Sequence, residues 1–92
     1  MKIALRYTSQ LAAAAGTSEE RIELADELGL VELLRNLSEQ HGPEFSKFVV
    51  NEDGNPVPTL VVAVNGTQVD LRADVSLEDE SEVILITPMS GG

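Results

Sequence analysis

The residues 88–92, Pro88-Met89-Ser90-Gly91-Gly92, hold the group with the most direct chemistry in the chain, the α-carboxylate of Gly92. An acyl carbon attacked inside a partner's narrow channel needs clear approach from both faces. Glycine has no Cβ to block either face, and its backbone takes angles closed to other residues. Pro88 removes a hydrogen-bond donor and would stop strand pairing just there. Fully extended, residues 88–92 span roughly 17 Å, enough to thread a buried site. A terminal glycine pair is also the composition of a frayed end. The tail residues alone leave both readings open.

Other reactive side chains offer less. The chain has no cysteine, which excludes a disulfide, a thiolate metal site and a cysteine nucleophile. His41 is the only histidine. At the end of a helical pattern it is expected to meet C-terminal carbonyls, and no convergent ligand set suggests a metal. The acidic run Glu78-Asp79-Glu80-Ser81-Glu82 lacks the twelve-residue spacing and the glycine of a calcium loop, and reads as a solvated turn. No nucleophile elbow or glycine-rich phosphate loop is present. Asn65-Gly66-Thr67 and Asn36-Leu37-Ser38 match the glycosylation pattern by chance, since the first residues do not form a secretion signal.

What must position the tail is one small domain. The 92 residues suffice for a single modest core. With only Tyr7, Phe45 and Phe48 as aromatics, that core has to be built from Leu, Val and Ile. No stretch reaches the ~18 apolar residues of a membrane span, and the cytoplasm is the expected location. Six basic and sixteen acidic residues give a formal charge of −10. A field of that sign disfavours nucleic acid and anionic membranes and favours a basic partner surface.

Residues 2–8 alternate, with Ile3, Leu5 and Tyr7 on one face, and predict a strand. The alanine run that follows has room for a single helical turn ended by Gly16. Residues 20–24 predict a second strand, antiparallel to the first. Leu30, Leu33, Leu34 and Leu37 recur at helical spacing, which predicts a helix over 30–41, stopped by Gly42 and Pro43. Asp26 and Glu27 suit its N-terminal end. Residues 44–59 read as a surface loop with room for a short hairpin. Residues 60–64 and 67–71 flank Asn65-Gly66, the strongest hairpin signal in the chain. Leu77 is expected to plug the core from a loop, and 83–87 form the last strand. First and last strands would pair in parallel at the sheet centre, with the helix across one face, a two-layer α+β solution.

Several of these pieces are also those of a known family. The chain resembles the MoaD/ThiS sulfur carriers in Val62-Ala63-Val64-Asn65-Gly66, in the leucine-rich helix ending at His41, in the acidic approach to Val83-Ile84-Leu85-Ile86, and in the closing Gly91-Gly92. The resemblance covers nearly the whole chain and is closest to the small subunit of molybdopterin synthase. It departs at Ala12 and Ala13, where the family often carries an Arg-Glu pair. Its loop over 44–59 is longer than thiazole-synthesis carriers usually show, which favours the molybdopterin type.

The resemblance implies a ubiquitin-like β-grasp domain over 1–87 and a flexible tail over 88–92. It implies that an ATP-using, E1-like partner adenylates Gly92 and that sulfur then gives a thiocarboxylate. The sulfur would serve cofactor biosynthesis, most directly molybdopterin, through a large synthase subunit that holds the catalytic residues. The chain itself would then be no enzyme and bind no cofactor or metal, ATP being used by the partner. Thiazole synthesis, another sulfur acceptor, or modification of a lysine through an isopeptide bond use the same carboxylate. Pro88, Met89, Ser90 and Gly91 would lie in the partner's channel. The partner is expected on the sheet face away from the helix, on Arg6, Thr8, Ile84 and Ile86.

Overall fold

The computed structural model describes residues 1–25, 28–73 and 75–87. The alternation at the start becomes β1 (Lys2–Tyr7), with Ile3, Leu5 and Tyr7 buried and Lys2 and Arg6 exposed. The alanine run forms more than the single turn expected: α1 spans Ser9–Ala15. Leu11, fully buried, anchors it, and Ala12, Ala14 and Ala15 pack against the core. Gly16 ends it at φ 80°, its N–H donating to the Ala12 carbonyl at 3.0 Å. That left-handed conformation is cheap only for glycine.

β2 (Glu19–Glu23) returns antiparallel to β1, from Arg6 opposite Glu19 to Lys2 opposite Glu23. α2 (Leu30–His41) buries Leu30, Leu33, Leu34 and Leu37, the stripe that its spacing demands. Asp26 and Glu27, expected beside its N-terminal end, lie outside the described residues. Gly42, at φ 90°, donates its N–H to the Ser38 carbonyl. Pro43 then does more than forbid continuation. It occupies the first turn of a new short helix, α3 (Pro43–Ser46), where its missing N–H costs nothing.

The 44–59 region is therefore not a surface loop throughout. Phe45 and Val49 are fully buried. The expected hairpin amounts to one bridge between Val50 and Pro56. The turn between them is built on Asn51, whose Oδ1 accepts from the N–H groups of Asp53 and Asn55. Arg35 Nε donates to the Gly54 carbonyl at 2.7 Å and ties the turn to α2.

β3 (Val61–Val64), β4 (Thr67–Val69) and β5 (Ser81–Ile86) complete the sheet. Its order is β2-β1-β5-β3-β4. β1 and β5 run parallel, from Ile3 opposite Ser81 to Tyr7 opposite Leu85. β3 is antiparallel to both β4 and β5. The acidic turn before β5 holds the start of β1: Asp79 Oδ1 accepts from the Lys2 N–H at 2.6 Å, and the Glu80 N–H donates to the Lys2 carbonyl at 2.7 Å. Val62, Val83, Leu85 and Leu77 close the core against α2.

Leu11→Ala tests the role of α1. Removing this fully buried side chain should cost about 2–5 kcal/mol of stability by urea unfolding. A loss below about 0.5 kcal/mol would mean that α1 is a surface appendage.

Candidate functional site

The tail residues Pro88, Met89, Ser90, Gly91 and Gly92 lie outside the described residues. The structure does place the strand from which they follow. β5 is one of the three interior strands of the sheet, and its alternation is strict. Ser81, Val83 and Leu85 face the core, whereas Glu82, Ile84 and Ile86 are half-buried on the opposite face. α3 packs on α1 and α2, and Arg35 of α2 holds the Gly54 turn, so these parts of the long connection lie on the helix side of the sheet.

The predicted patch residues come together on this outward face. Ile84 sits between Arg6 of β1 and Ala63 of β3. Ile86 is flanked by Val61 on one side and, one step beyond the Tyr7–Leu85 pair, by Thr8 on the other. The Thr8 N–H and hydroxyl both donate to the Leu85 carbonyl at 3.3 Å, which holds the end of β1 against the end of β5. Arg6 donates from Nε and Nη2 to Glu19 Oε1 at 3.2 and 3.1 Å. Both side chains are more than half exposed, so the pair orients the guanidinium more than it stabilises the fold.

Charge is distributed unevenly in a way that the patch prediction missed. The outward strand positions carry three bases, Lys2, Arg6 and Arg21, and three acids, Glu19, Glu23 and Glu82. The face is thus balanced, and the formal charge of −10 sits on the rest of the chain. Lys2 and Arg21 have no ion pair among the described residues. An apolar strip on β5 and β3 thus borders mixed charge on β1 and β2, a composition compatible with protein docking. The alternation of the strands was enough to reveal it.

His41 departs from expectation. Its Nε2 meets Glu20 Oε1 at 3.1 Å rather than a helix-end carbonyl. The same oxygen accepts from the Tyr7 hydroxyl at 3.0 Å. The His41 ring lies tilted against Phe45 with centroids 4.8 Å apart, and Tyr7 meets Phe45 edge-on at 5.3 Å. Of this cluster, Glu20 borders a shallow depression between β1 and β2. The cluster locks the end of α2 to β1 and β2. Burial and the Glu20 carboxylate push the Tyr7 phenol far above its ordinary value.

A second concavity, a groove of about 910 Å³, runs beside the start of β3 and the end of β4. Val31, Val57, Val69 and Leu71 line it, with the Arg72–Asp70 pair at its rim. Among the described residues no three His, Asp or Glu side chains converge as metal ligands. No helix among them is long and apolar enough to cross a membrane.

A mixed sheet with parallel central strands and one long helix across one face is the β-grasp of ubiquitin-like proteins. The sequence model of the ThiS family matches residues 5–92, and the chain belongs to that family of ubiquitin-like sulfur carriers. Among solved structures, SAMP1 of Haloferax volcanii superposes with a TM-score of 0.86 at 24% identity, covering 100% of both chains. A putative molybdopterin converting factor subunit 1 from Pyrococcus furiosus gives 0.74 at 28% identity, over 97% of this chain and 99% of that one. A chain of the BexX/CysO complex of Amycolatopsis orientalis gives 0.69 at 16% identity, over 98% and 99%. No curated protein sequence matches the chain.

Tyr7 is the only tyrosine, so its titration reports on the cluster directly. Its folded-state pKa is raised, so its contribution to stability is complete below the unfolded value of about 10. That contribution falls away as pH rises beyond it. Tyrosinate absorbance should therefore appear only together with loss of circular dichroism. A phenolate that forms near pH 10 in the intact fold would show that Tyr7 is not held as described.

Proposed function

We propose that this chain is a sulfur carrier whose working group is the Gly92 carboxylate. An ATP-dependent activating enzyme is the first partner. The carboxylate oxygen attacks the α-phosphorus of ATP and pyrophosphate leaves, giving an acyl adenylate. Hydrosulfide then attacks the acyl carbon, the C–O bond to AMP breaks and AMP leaves, giving a thiocarboxylate. The observation that carries this reading is the family match, which runs through the Gly91-Gly92 pair to residue 92. The chain's own contribution is to bind and present, with no catalytic group of its own. The apolar strip of Ile84 and Ile86, flanked by Arg6 and Thr8, docks the partner beside the strand that leads into the tail. Pro88, Met89, Ser90 and Gly91 then occupy the partner's channel. Dependence on ATP puts the work in the cytoplasm.

The sulfur acceptor on this reading is the large subunit of a molybdopterin synthase. The likeness to the Pyrococcus furiosus converting-factor subunit supports that choice. A second reading, a protein modifier that ends in an isopeptide bond to lysine, draws support from the likeness to SAMP1. Intact mass separates them after co-expression with the activating enzyme. A carrier gains the mass of one oxygen-to-sulfur exchange, and a modifier appears in higher-mass conjugates. An unchanged mass with an active adenylating enzyme present would defeat both.

Gly92→Ala should leave the fold intact and cut sulfur loading by about 10²-fold, because a small displacement at a reacting centre is costly. An alanine-ended chain loaded as fast as the parent would contradict the steric account. Ile84→Glu should raise the KM for the activating enzyme about tenfold or more, with little change in melting temperature. Retained KM would remove this face from the docking surface.

A further inference from the structure

Thr87 is the last described residue before the tail, and its side chain follows the inward phase of Val83 and Leu85. It is 5% exposed, yet its Oγ1 has no hydrogen-bond partner among the described residues. The two other buried hydroxyls of serine and threonine among the described residues, and that of half-buried Thr8, are satisfied. Ser38 donates to the Leu34 carbonyl at 2.9 Å, Ser81 Oγ accepts from the Glu78 N–H at 3.2 Å, and Thr8 donates to the Leu85 carbonyl. A buried hydroxyl without a partner loses its water and receives nothing in exchange. A valine would fill the same space without that loss.

The position is constrained in other ways. Thr87 is β-branched, which limits its χ1 rotamers. It precedes Pro88, whose ring holds the preceding residue in extended conformations. Pro88 itself carries no N–H to continue the ladder. Thr87 is thus restricted both by its own branching and by the proline that follows, and it carries an unused hydrogen-bonding group.

We infer that Thr87 is a positioning residue for the terminal carboxylate. Its hydroxyl is unpaired in the free chain and takes a main-chain partner when the tail is engaged by the activating enzyme, fixing the direction in which Gly92 is presented. This rests on the carrier reading above. An interaction made only in the engaged state is spent on orientation at the reacting centre, and so appears in kcat more than in KM. Thr87 acts through the tail and touches no reacting atom.

The test compares the full chain with Thr87→Val and Thr87→Ser in ATP–pyrophosphate exchange with the activating enzyme, alongside thermal unfolding. Thr87→Val should raise the melting temperature by roughly 4–8 °C and lower kcat about 10- to 100-fold, with KM within about threefold. Thr87→Ser, which keeps the hydroxyl, should restore kcat to within about threefold of the parent. Thr87→Val exchanging at the parental kcat would overturn the proposal while leaving the carrier reading standing. So would a Thr87→Val chain that melts several degrees lower, because the hydroxyl would then be paired in the free chain. If the parent supports no exchange at all, the carrier reading fails and this proposal with it.

Discussion

The parallel pairing of β1 with β5 is the constraint on which the rest of the molecule depends. Ile3 meets Ser81 and Tyr7 meets Leu85, so the two ends of a 92-residue chain become neighbours at the middle of the sheet. Parallel neighbours cannot be joined by a tight turn and need a crossover. Here the crossover is nearly the whole chain, and closing it costs entropy before any contact repays it. The repayment is the burial of Ile3, Leu5, Tyr7, Val83 and Leu85 beneath the leucine stripe of α2. The Asp79 and Glu80 bonds to Lys2 fix the register at one end, and the Thr8 bonds to Leu85 fix it at the other. A rigid strand therefore leads straight to the segment proposed to react.

That same pairing separates two surfaces. One side of β5 joins the core, and the other presents Ile84 and Ile86 between Arg6, Thr8, Ala63 and Val61. A chain with a formal charge of −10 is poorly suited to close contact over most of its surface. Its outward sheet face is the exception, because its charges balance. Excess negative charge elsewhere would steer a basic partner toward the molecule, and on the proposed reading the balanced face is where it docks. The Tyr7–Glu20–His41 cluster serves this face from behind. It holds the end of α2 to β1 and β2, strands whose other side belongs to the proposed docking face.

Much of this was legible in the residues. Period two fixed β1 and β5 with their inward and outward sides, and the leucine spacing placed α2 at the bounds observed, Leu30–His41. Asn65-Gly66 gave the β3–β4 hairpin. That Arg6, Thr8, Ile84 and Ile86 neighbour one another on one face followed from strand phase, while their reading as a partner patch came from the family resemblance. What was not legible depends on contacts distant in sequence or on two roles for one residue. Four consecutive alanines show no stripe, and only Leu11 entering the core explains a full α1. Pro43 was read as a stop, although the same ring suits the first turn of α3. Glu20 lies 21 residues from His41, and no local pattern joins them. The orphaned hydroxyl of Thr87 is visible only once its neighbours are in place.

The central claim is that a self-sufficient scaffold carries its chemistry on the five residues that follow Thr87. Native-state amide hydrogen exchange on the full chain and on a chain ending at Thr87 tests it most directly, with adenylation measured on the same samples. The account predicts that protection of Ile3 to Tyr7 and Val83 to Leu85 differs by less than about threefold between the two, while adenylation is abolished by the truncation. Collapse of that protection in the shortened chain, or adenylation that survives it, would contradict the account.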